Sequence, residues 1–434
     1  MSNNVLLRGG RVIDATGERD ADIRIADGMI AEVGPALDTS GATVLDADGC
    51  VVAPGLVDIQ VHFREPGRED SETIETGARA AALGGCTAVV CMPNTEPPLD
   101  DAAVVQSVRE RARAVGLCDV FPAGCITKGR KGEELAPIGE LYDLGVRVFT
   151  DDGDCVGDAR VMLRAFEYAA ALPDAVLAQH AEDPALVRGG HMHDGVWSAR
   201  LGIPGRPAEA ESSIVARDLA LARRTGGRYH VLHLSCAESA ALVRAAKADG
   251  VRVTAECTPQ HLVLTDETCA SFDPVFKMNP PLREQRDVDA LRVALRDGTI
   301  DAIATDHAPH APETKDVPFE EAPPGMLGVE TALAVVLTAL VEPGVITLAQ
   351  AIAALSWQPA RVASLESAGH GGPLTPGRPA HLCVIDPAYQ WVVEGARLAS
   401  RSQNTPWEGW KLTGKVRHTI YHGEPVVRDY EATR

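Results

Sequence analysis

Two rhythms of apolar and polar positions divide this chain. Near the N-terminus, short runs that alternate or stay apolar occur at Val5 to Ile13, Ile23 to Ile25, Met29 to Val33 and Thr43 to Leu45. Period-two alternation marks half-buried strands, because successive side chains leave opposite faces. Asp27-Gly28 and Asp48-Gly49 are hairpin signals, since both dipeptides accept the positive φ of tight turns. The C-terminal stretch repeats the pattern at His381 to Asp386, Trp391 to Val393 and Lys415 to Tyr421, the last followed by His422-Gly423. Two β-rich ends around a different middle predict one small β-sandwich domain formed by both termini, residues 1–53 plus 370–434.

The middle, 54–369, alternates short apolar runs with Ala-, Leu- and Arg-rich helical stretches. The candidate strands are Val57 to Phe63, Thr87 to Met92, Val120 to Ala123 and Val146 to Thr150, then Val176 to Gln179, His230 to Leu234, Arg252 to Ala255 and Ile300 to Thr305. Candidate helices between them are Glu72 to Leu83, Ala102 to Val115, Ala159 to Ala171, Glu211 to Arg224, Ser235 to Ala248 and Arg286 to Leu295. Eight strands alternating with helices over about 250 residues match a (β/α)8 TIM-like barrel. An open doubly wound sheet is the alternative, but no GxGxxG follows an early strand.

Composition narrows the class. A 45% hydrophobic and 24% charged chain of 434 residues has material for one large and one small globular domain. It opens without a signal-peptide core and has no 18-residue apolar run, so a cytoplasmic protein is expected, with no membrane partner. The formal charge of -20 argues against nucleic acid, yet local Arg and His residues can still hold a small anion. Ten cysteines without a CxxC pair read as reduced, packed thiols.

Catalytic groups of a barrel sit at the C-terminal ends of its strands. There the first strand ends in His62 and Arg64, the second runs into Asn94, and the fourth ends Thr150-Asp151-Asp152-Gly153. The fifth ends in His180, the sixth carries His230 and His233, and the eighth runs into Asp306 and His310. Imidazole and carboxylate together suit zinc or a similar borderline cation, which activates water and polarises a carbonyl. His233 is nearer its strand end than His230, which reads as structural; His261 reads equally as packing or as support for the site. Physics alone does not separate Asp151 from Asp152. Strict alternation places Gln60, His62 and Arg64 on one face, with Gln60 a neutral amide where another imidazole would serve a metal. Arg64 can grip a carboxylate in two-pronged fashion, and Asn94 and Asn279 offer amide contacts. Pro309 to Gly325 is a proline-rich connection suited to a loop over the mouth. Neither a GxSxG elbow nor a P-loop is present.

Taken in order, several motifs resemble the dihydroorotases of the amidohydrolase superfamily, more narrowly the bacterial class I enzymes. They are Pro54-Gly55-Leu56-Val57-Asp58, His62-Phe63-Arg64-Glu65-Pro66-Gly67, Met92-Pro93-Asn94-Thr95 and Phe149-Thr150-Asp151-Asp152-Gly153. Gln179-His180-Ala181-Glu182, Met278-Asn279-Pro280-Pro281-Leu282-Arg283, Ala304-Thr305-Asp306-His307-Ala308-Pro309-His310 and Asn404-Thr405-Pro406 complete the set. The resemblance implies reversible cyclisation of N-carbamoyl-L-aspartate to L-dihydroorotate in pyrimidine synthesis, with one or two zinc ions per chain. By position, His62 and Asp152 match ligands of the first metal, Asp152 also bridging, and His180 and His233 match the second. Asp306 matches a ligand that doubles as general acid/base. Arg64, Asn94 and His310 match the grip on the substrate carboxylate; Asn279, Pro324 and Gly325 match contacts to the ring. The family habit is a homodimer, in some cases joined to aspartate carbamoyltransferase. Gln60 departs from the family's usual His and opens a rival reading, a non-catalytic subunit supporting aspartate carbamoyltransferase. Hydantoinases and allantoinases are a second rival, but they usually place a bridging lysine where this chain has Thr150-Asp151-Asp152.

Overall fold

In the computed structural model, which describes residues 4–434, two β systems correspond to the two rhythms. The first is built by β1 (Val5–Asp14), β2 (Gly17–Ala26), β3 (Met29–Gly34), β4 (Thr43–Asp46) and β5 (Val51–Pro54) from the N-terminal end. The barrel follows with β6 (Leu56–Val61), β7 (Cys86–Cys91), β8 (Asp119–Pro122), β9 (Val148–Phe149) and β10 (Val176–Gln179). A two-stranded ribbon, β11 (Met192–His193) and β12 (Gly205–Arg206), decorates it before β13 (Tyr229–Val231), β14 (Val253–Cys257) and β15 (Ala302–Ile303). The chain then returns to the first system with β16 (Leu382–Val392), β17 (Lys411–Tyr421), β18 (Glu424–Arg428) and β19 (Glu431–Ala432).

The barrel closes through parallel pairings. β6, β7 and β8 form one arc, and β9, β10, β13, β14 and β15 form the other. Parallel bridges Gly124↔Phe149 and Val61↔His307 join the arcs at both seams. The Asp58 carboxylate reinforces the second seam by accepting from the Thr305 backbone N–H (3.1 Å) and the Thr305 hydroxyl. Every residue of β6, β7 and β10 is buried, so these strands read as continuous apolar runs rather than alternations. Their two faces feed different clusters: Val57, Ala88, Val90, Ala178 and Ala302 meet in one, while Val89, Leu177 and Ile303 pack with helix residues such as Ala78 and Val243. Capping sets the helix starts: Thr73, Asp101 and Asp158 each accept from an N-terminal backbone N–H of the helix that follows.

The sheet from the two termini runs β19-β18-β17-β16-β5-β1-β2-β3, with β4 also on β1. N-terminal Val5, Ile23 and Val52 share one apolar cluster with C-terminal Leu382, Val384 and Ile420, so neither end can bury its strands without the other. Asp27-Gly28 does make the β2–β3 hairpin. Asp48-Gly49 does not: β4 and β5 both run parallel to β1, and the turn carries the chain from one end of β1 to the other. All ten cysteines are free, and nine are buried. Among the described residues no helix is long and apolar enough to cross a membrane.

Two expectations need correction. The fourth and eighth barrel strands are shorter than the apolar runs, Val148–Phe149 and Ala302–Ile303. The first strand ends at Val61, and its register against β7 slips by one residue between Asp58 and Val61. That bulge defeats simple alternation: Val57 and Ile59 join one cluster and Val61 the other, so the face changes across Gln60. Bulges of this kind re-aim side chains beside active sites.

Candidate metal and substrate site

At the C-terminal ends of the barrel strands lies a cleft of ≈ 220 Å³. His62, Asp152, His180, His233 and Asp306 line it. So do Arg64, Asn94, Asn279, His310, Pro324 and Gly325. All the residues singled out for metal or substrate contacts therefore meet in one place. Arg64, His233 and Asp306 hold φ values of 60°, 30° and 47°, left-handed backbone that costs a side-chain-bearing residue energy. Such strain collects at functional sites.

The cleft's centre is Asp152. Its Oδ1 lies 3.3 Å from His180 Nδ1 and 3.4 Å from His233 Nε2, and its Oδ2 lies 3.3 Å from His62 Nε2. His62 Nε2 is also 2.9 Å from Asp306 Oδ1. Two groups of possible metal donors result, His62–Asp152–Asp306 and Asp152–His180–His233, sharing Asp152. Each group keeps its ligand atoms within 4.8 Å of one another. Burial raises the Asp152 carboxyl, but the hydrogen bonds and charges of the three imidazoles outweigh it and hold the group well below its ordinary range. Burial likewise opposes charge on His180, yet Asp152 and Glu182 drive its pKa up to about 10. A pocket so hungry for positive charge suits a cation, and the imidazole–carboxylate donor set suits zinc-like ions.

Asp151 is resolved by its partners. Its Oδ1 accepts from the Ile126 and Thr127 backbone N–H groups at 2.8 and 3.0 Å, and its Oδ2 accepts from the Thr127 hydroxyl. It braces the loop after β8 and leaves the centre to Asp152. His230 is occupied by Thr254 Oγ1 at 2.8 Å and Glu256 Oε2 at 3.1 Å, a structural role. His261 holds the Pro280 carbonyl at 3.0 Å and so positions the segment that carries Asn279.

Further contacts escaped the sequence reading. Glu182 Oε2 takes His180 Nε2 at 3.0 Å, which aims Nδ1 at the Asp152 side, and Arg206 steadies Glu182 at 3.0 Å. Burial pushes the Glu182 carboxyl up, but His180 and the two arginines Arg206 and Arg283 bring it down to about 2. Asn94 accepts His62 Nδ1–H at 2.8 Å, so one end of its amide fixes the tautomer that leaves His62 Nε2 free for a metal. Asn404 donates to the Ala308 and Gly325 carbonyls at 3.0 and 3.1 Å, tying down both ends of the proline-rich loop. Arg68 and Arg130 add positive charge to the cleft wall. Arg64 itself is buried, and burial and Arg68 lower its pKa to about 10, still charged at neutral pH.

Gln60 is fully buried, and neither its Oε1 nor its Nε2 has a hydrogen-bond partner. A buried amide left unpaired costs about 1–3 kcal/mol, an expense that a metal-side position would explain. Gln60→His is expected to raise the metal content per chain in elemental analysis. Unchanged stoichiometry would mean that residue 60 does not reach the metal.

A closed barrel whose mouth holds two His/Asp groups around a shared aspartate, carried on a sheet from both termini, defines an amidohydrolase. The comparisons with known proteins narrow the class. A dihydro-orotase-like family model matches residues 49–239. Curated relatives named dihydroorotase include one from Streptomyces coelicolor, 48% identical over 99% of this chain and 100% of its own length. Another, from Mycobacterium tuberculosis, is 49% identical over 98% of this chain and 99% of its own. Among solved structures, the L-hydantoinase (dihydropyrimidinase) from Arthrobacter aurescens superimposes with a TM-score of 0.88 at 26% identity, covering 100% of this chain and 98% of that one. The chain belongs to the dihydroorotase family.

Proposed function

We propose that this chain catalyses the reversible cyclisation of N-carbamoyl-L-aspartate to L-dihydroorotate, a step of pyrimidine synthesis, with zinc as its metal. The observation that carries the reading is the pairing of the Asp152-centred donor groups with Arg64 in one small cleft. His62, Asp152 and Asp306 would hold one ion, and His180, His233 and Asp152 a second. When bound, the metal supplies Lewis acidity toward the attacked carbonyl and lowers the pKa of the attacking water.

The chain's own residues do the rest. Arg64, with Asn94 and His310 beside it, grips the ring carboxylate and sets the face of the amide that is presented. Burial and nearby Arg64 keep the His310 pKa down at about 2, so this neutral imidazole has one N–H, which rests on the Pro324 carbonyl at 2.8 Å and must turn from it to the carboxylate when substrate binds. Asn279, whose Oδ1 is buried without a partner, and Pro324 and Gly325 contact the ring. Asp306 takes a proton in ring opening and passes it to the leaving nitrogen; in closure it does the reverse. On this reading the catalytic unit is the barrel, 54–369, and 1–53 with 370–434 support it.

Substrate choice tests the reading. The ring carboxylate distinguishes dihydroorotate from hydantoin and dihydrouracil, and Arg64 is placed to exploit the difference. The expected kcat/KM for dihydroorotate exceeds that for dihydrouracil by at least about 10²-fold, the scale of a buried charge pair. Arg64→Met is expected to erase most of that preference. Equal rates on both substrates would favour a hydantoinase-like activity instead.

A further inference from the structure

At the barrel end opposite the cleft, a second group of imidazoles surrounds a carboxylate. Asp119 begins β8, His370 lies on the chain returning from the barrel, His381 precedes β16, and His422 sits in the turn between β17 and β18. His370 Nε2 is 2.8 Å from Asp119 Oδ2, and His422 Nε2 is 4.0 Å from the same oxygen. Donor atoms of Asp119, His370 and His381 all lie within 4.8 Å of one another. The His381 ring centroid is 4.4 Å from those of both His370 and His422. His381 is 3% exposed, and its Nε2 has no hydrogen-bond partner.

From this arrangement we infer that Asp119, His370, His381 and His422 form a second divalent-metal site of the zinc type, separate from the catalytic cleft. Zinc bonds of about 2.0–2.1 Å in tetrahedral geometry set neighbouring donors roughly 3.3 Å apart. The Asp119 separations of 2.8 and 4.0 Å bracket that spacing, so small side-chain rotations complete the shell. Three imidazoles and one carboxylate offer four nitrogen and oxygen donors of the kinds that zinc accepts. The surroundings prepare the ligands. Thr87 Oγ1 holds His370 Nδ1 at 3.2 Å, and Tyr421 donates to Asp119 Oδ1 at 2.7 Å, leaving Oδ2 for the ion. Two contacts would open on binding: the 2.8 Å hydrogen bond from His370 Nε2 to Asp119 Oδ2, both of which turn to the ion, and the 3.4 Å approach of the His422 backbone N–H to His381 Nδ1, which must carry the proton once Nε2 holds metal. His422 is 58% exposed at its side chain and gives the ion a way in. Asp119 belongs to the barrel, whereas His381 and His422 flank strands of the other sheet, so an ion here would clasp the two systems together.

Cobalt(II) tests the site, because tetrahedral cobalt absorbs strongly in the visible. Chelator-stripped Asp152→Ala protein, with the cleft disabled, is expected to bind about one cobalt per chain with that absorption. Adding His422→Ala, an exposed change that does not threaten folding, should weaken binding by about tenfold or more. Adding His381→Gln instead should abolish it. In otherwise native protein, His422→Ala should lower total zinc by about one per chain and leave dihydroorotate turnover unchanged. Folded Asp152→Ala protein that binds no cobalt overturns the proposal. So does cobalt affinity indifferent to both histidine changes, or a native zinc content that His422→Ala does not alter.

Discussion

Asp152→Asn is expected to empty the cleft of metal and to lower kcat by more than about 10³-fold, beyond the effect of deleting a single electrostatic contact. Asp152 is the one residue common to both donor groups. It is also the anion that three buried imidazoles face, at 3.3 to 3.4 Å. An asparagine fills the same volume but removes the charge, leaving His62, His180 and His233 around a neutral amide. Metal loss and activity loss should therefore coincide, with the fold retained in circular dichroism. A variant that kept its metal and near-normal turnover would remove Asp152 from the centre of the account.

Asp306→Asn should separate chemistry from metal binding. Asp306 contacts His62 Nε2 at 2.9 Å but belongs to only one donor group. The second group, Asp152, His180 and His233, is untouched, so part of the metal should remain. The asparagine cannot accept and return a proton, and general acid–base catalysis contributes about 10²–10⁴-fold. The expected result is a fall in kcat of that size, little change in KM and partial metal retention. Near-normal rates would deny Asp306 its part in moving the proton.

The architecture was readable because parallel barrel strands, covered on both sides, betray themselves as apolar runs between helical stretches. The residues that line the candidate site were readable because a barrel gathers its strand ends at one mouth. What escaped depended on partners distant in sequence. Asp151 and Asp152 are indistinguishable side by side, and only their partners tell them apart: Ile126 and Thr127 for Asp151, three imidazoles for Asp152. Asp48-Gly49 has hairpin chemistry, but β1 accepts both flanking strands in parallel, and a dipeptide does not encode its sheet partner. The bulge that moves Gln60 shows only as a slipped register against β7. Glu182 was visible within a family motif, yet its hold on His180 needed geometry. The cluster around Asp119 had no signal at all, since His370 lies 251 residues away along the chain.

Central to the account is metal-dependent ring opening by this chain, and one sample can test it. Elemental analysis of the purified protein should find at least about one zinc per chain, alongside dihydroorotate hydrolysis that a chelator removes and added zinc restores. Metal-free, inactive protein that nevertheless raises aspartate carbamoyltransferase activity when the two are mixed would contradict it.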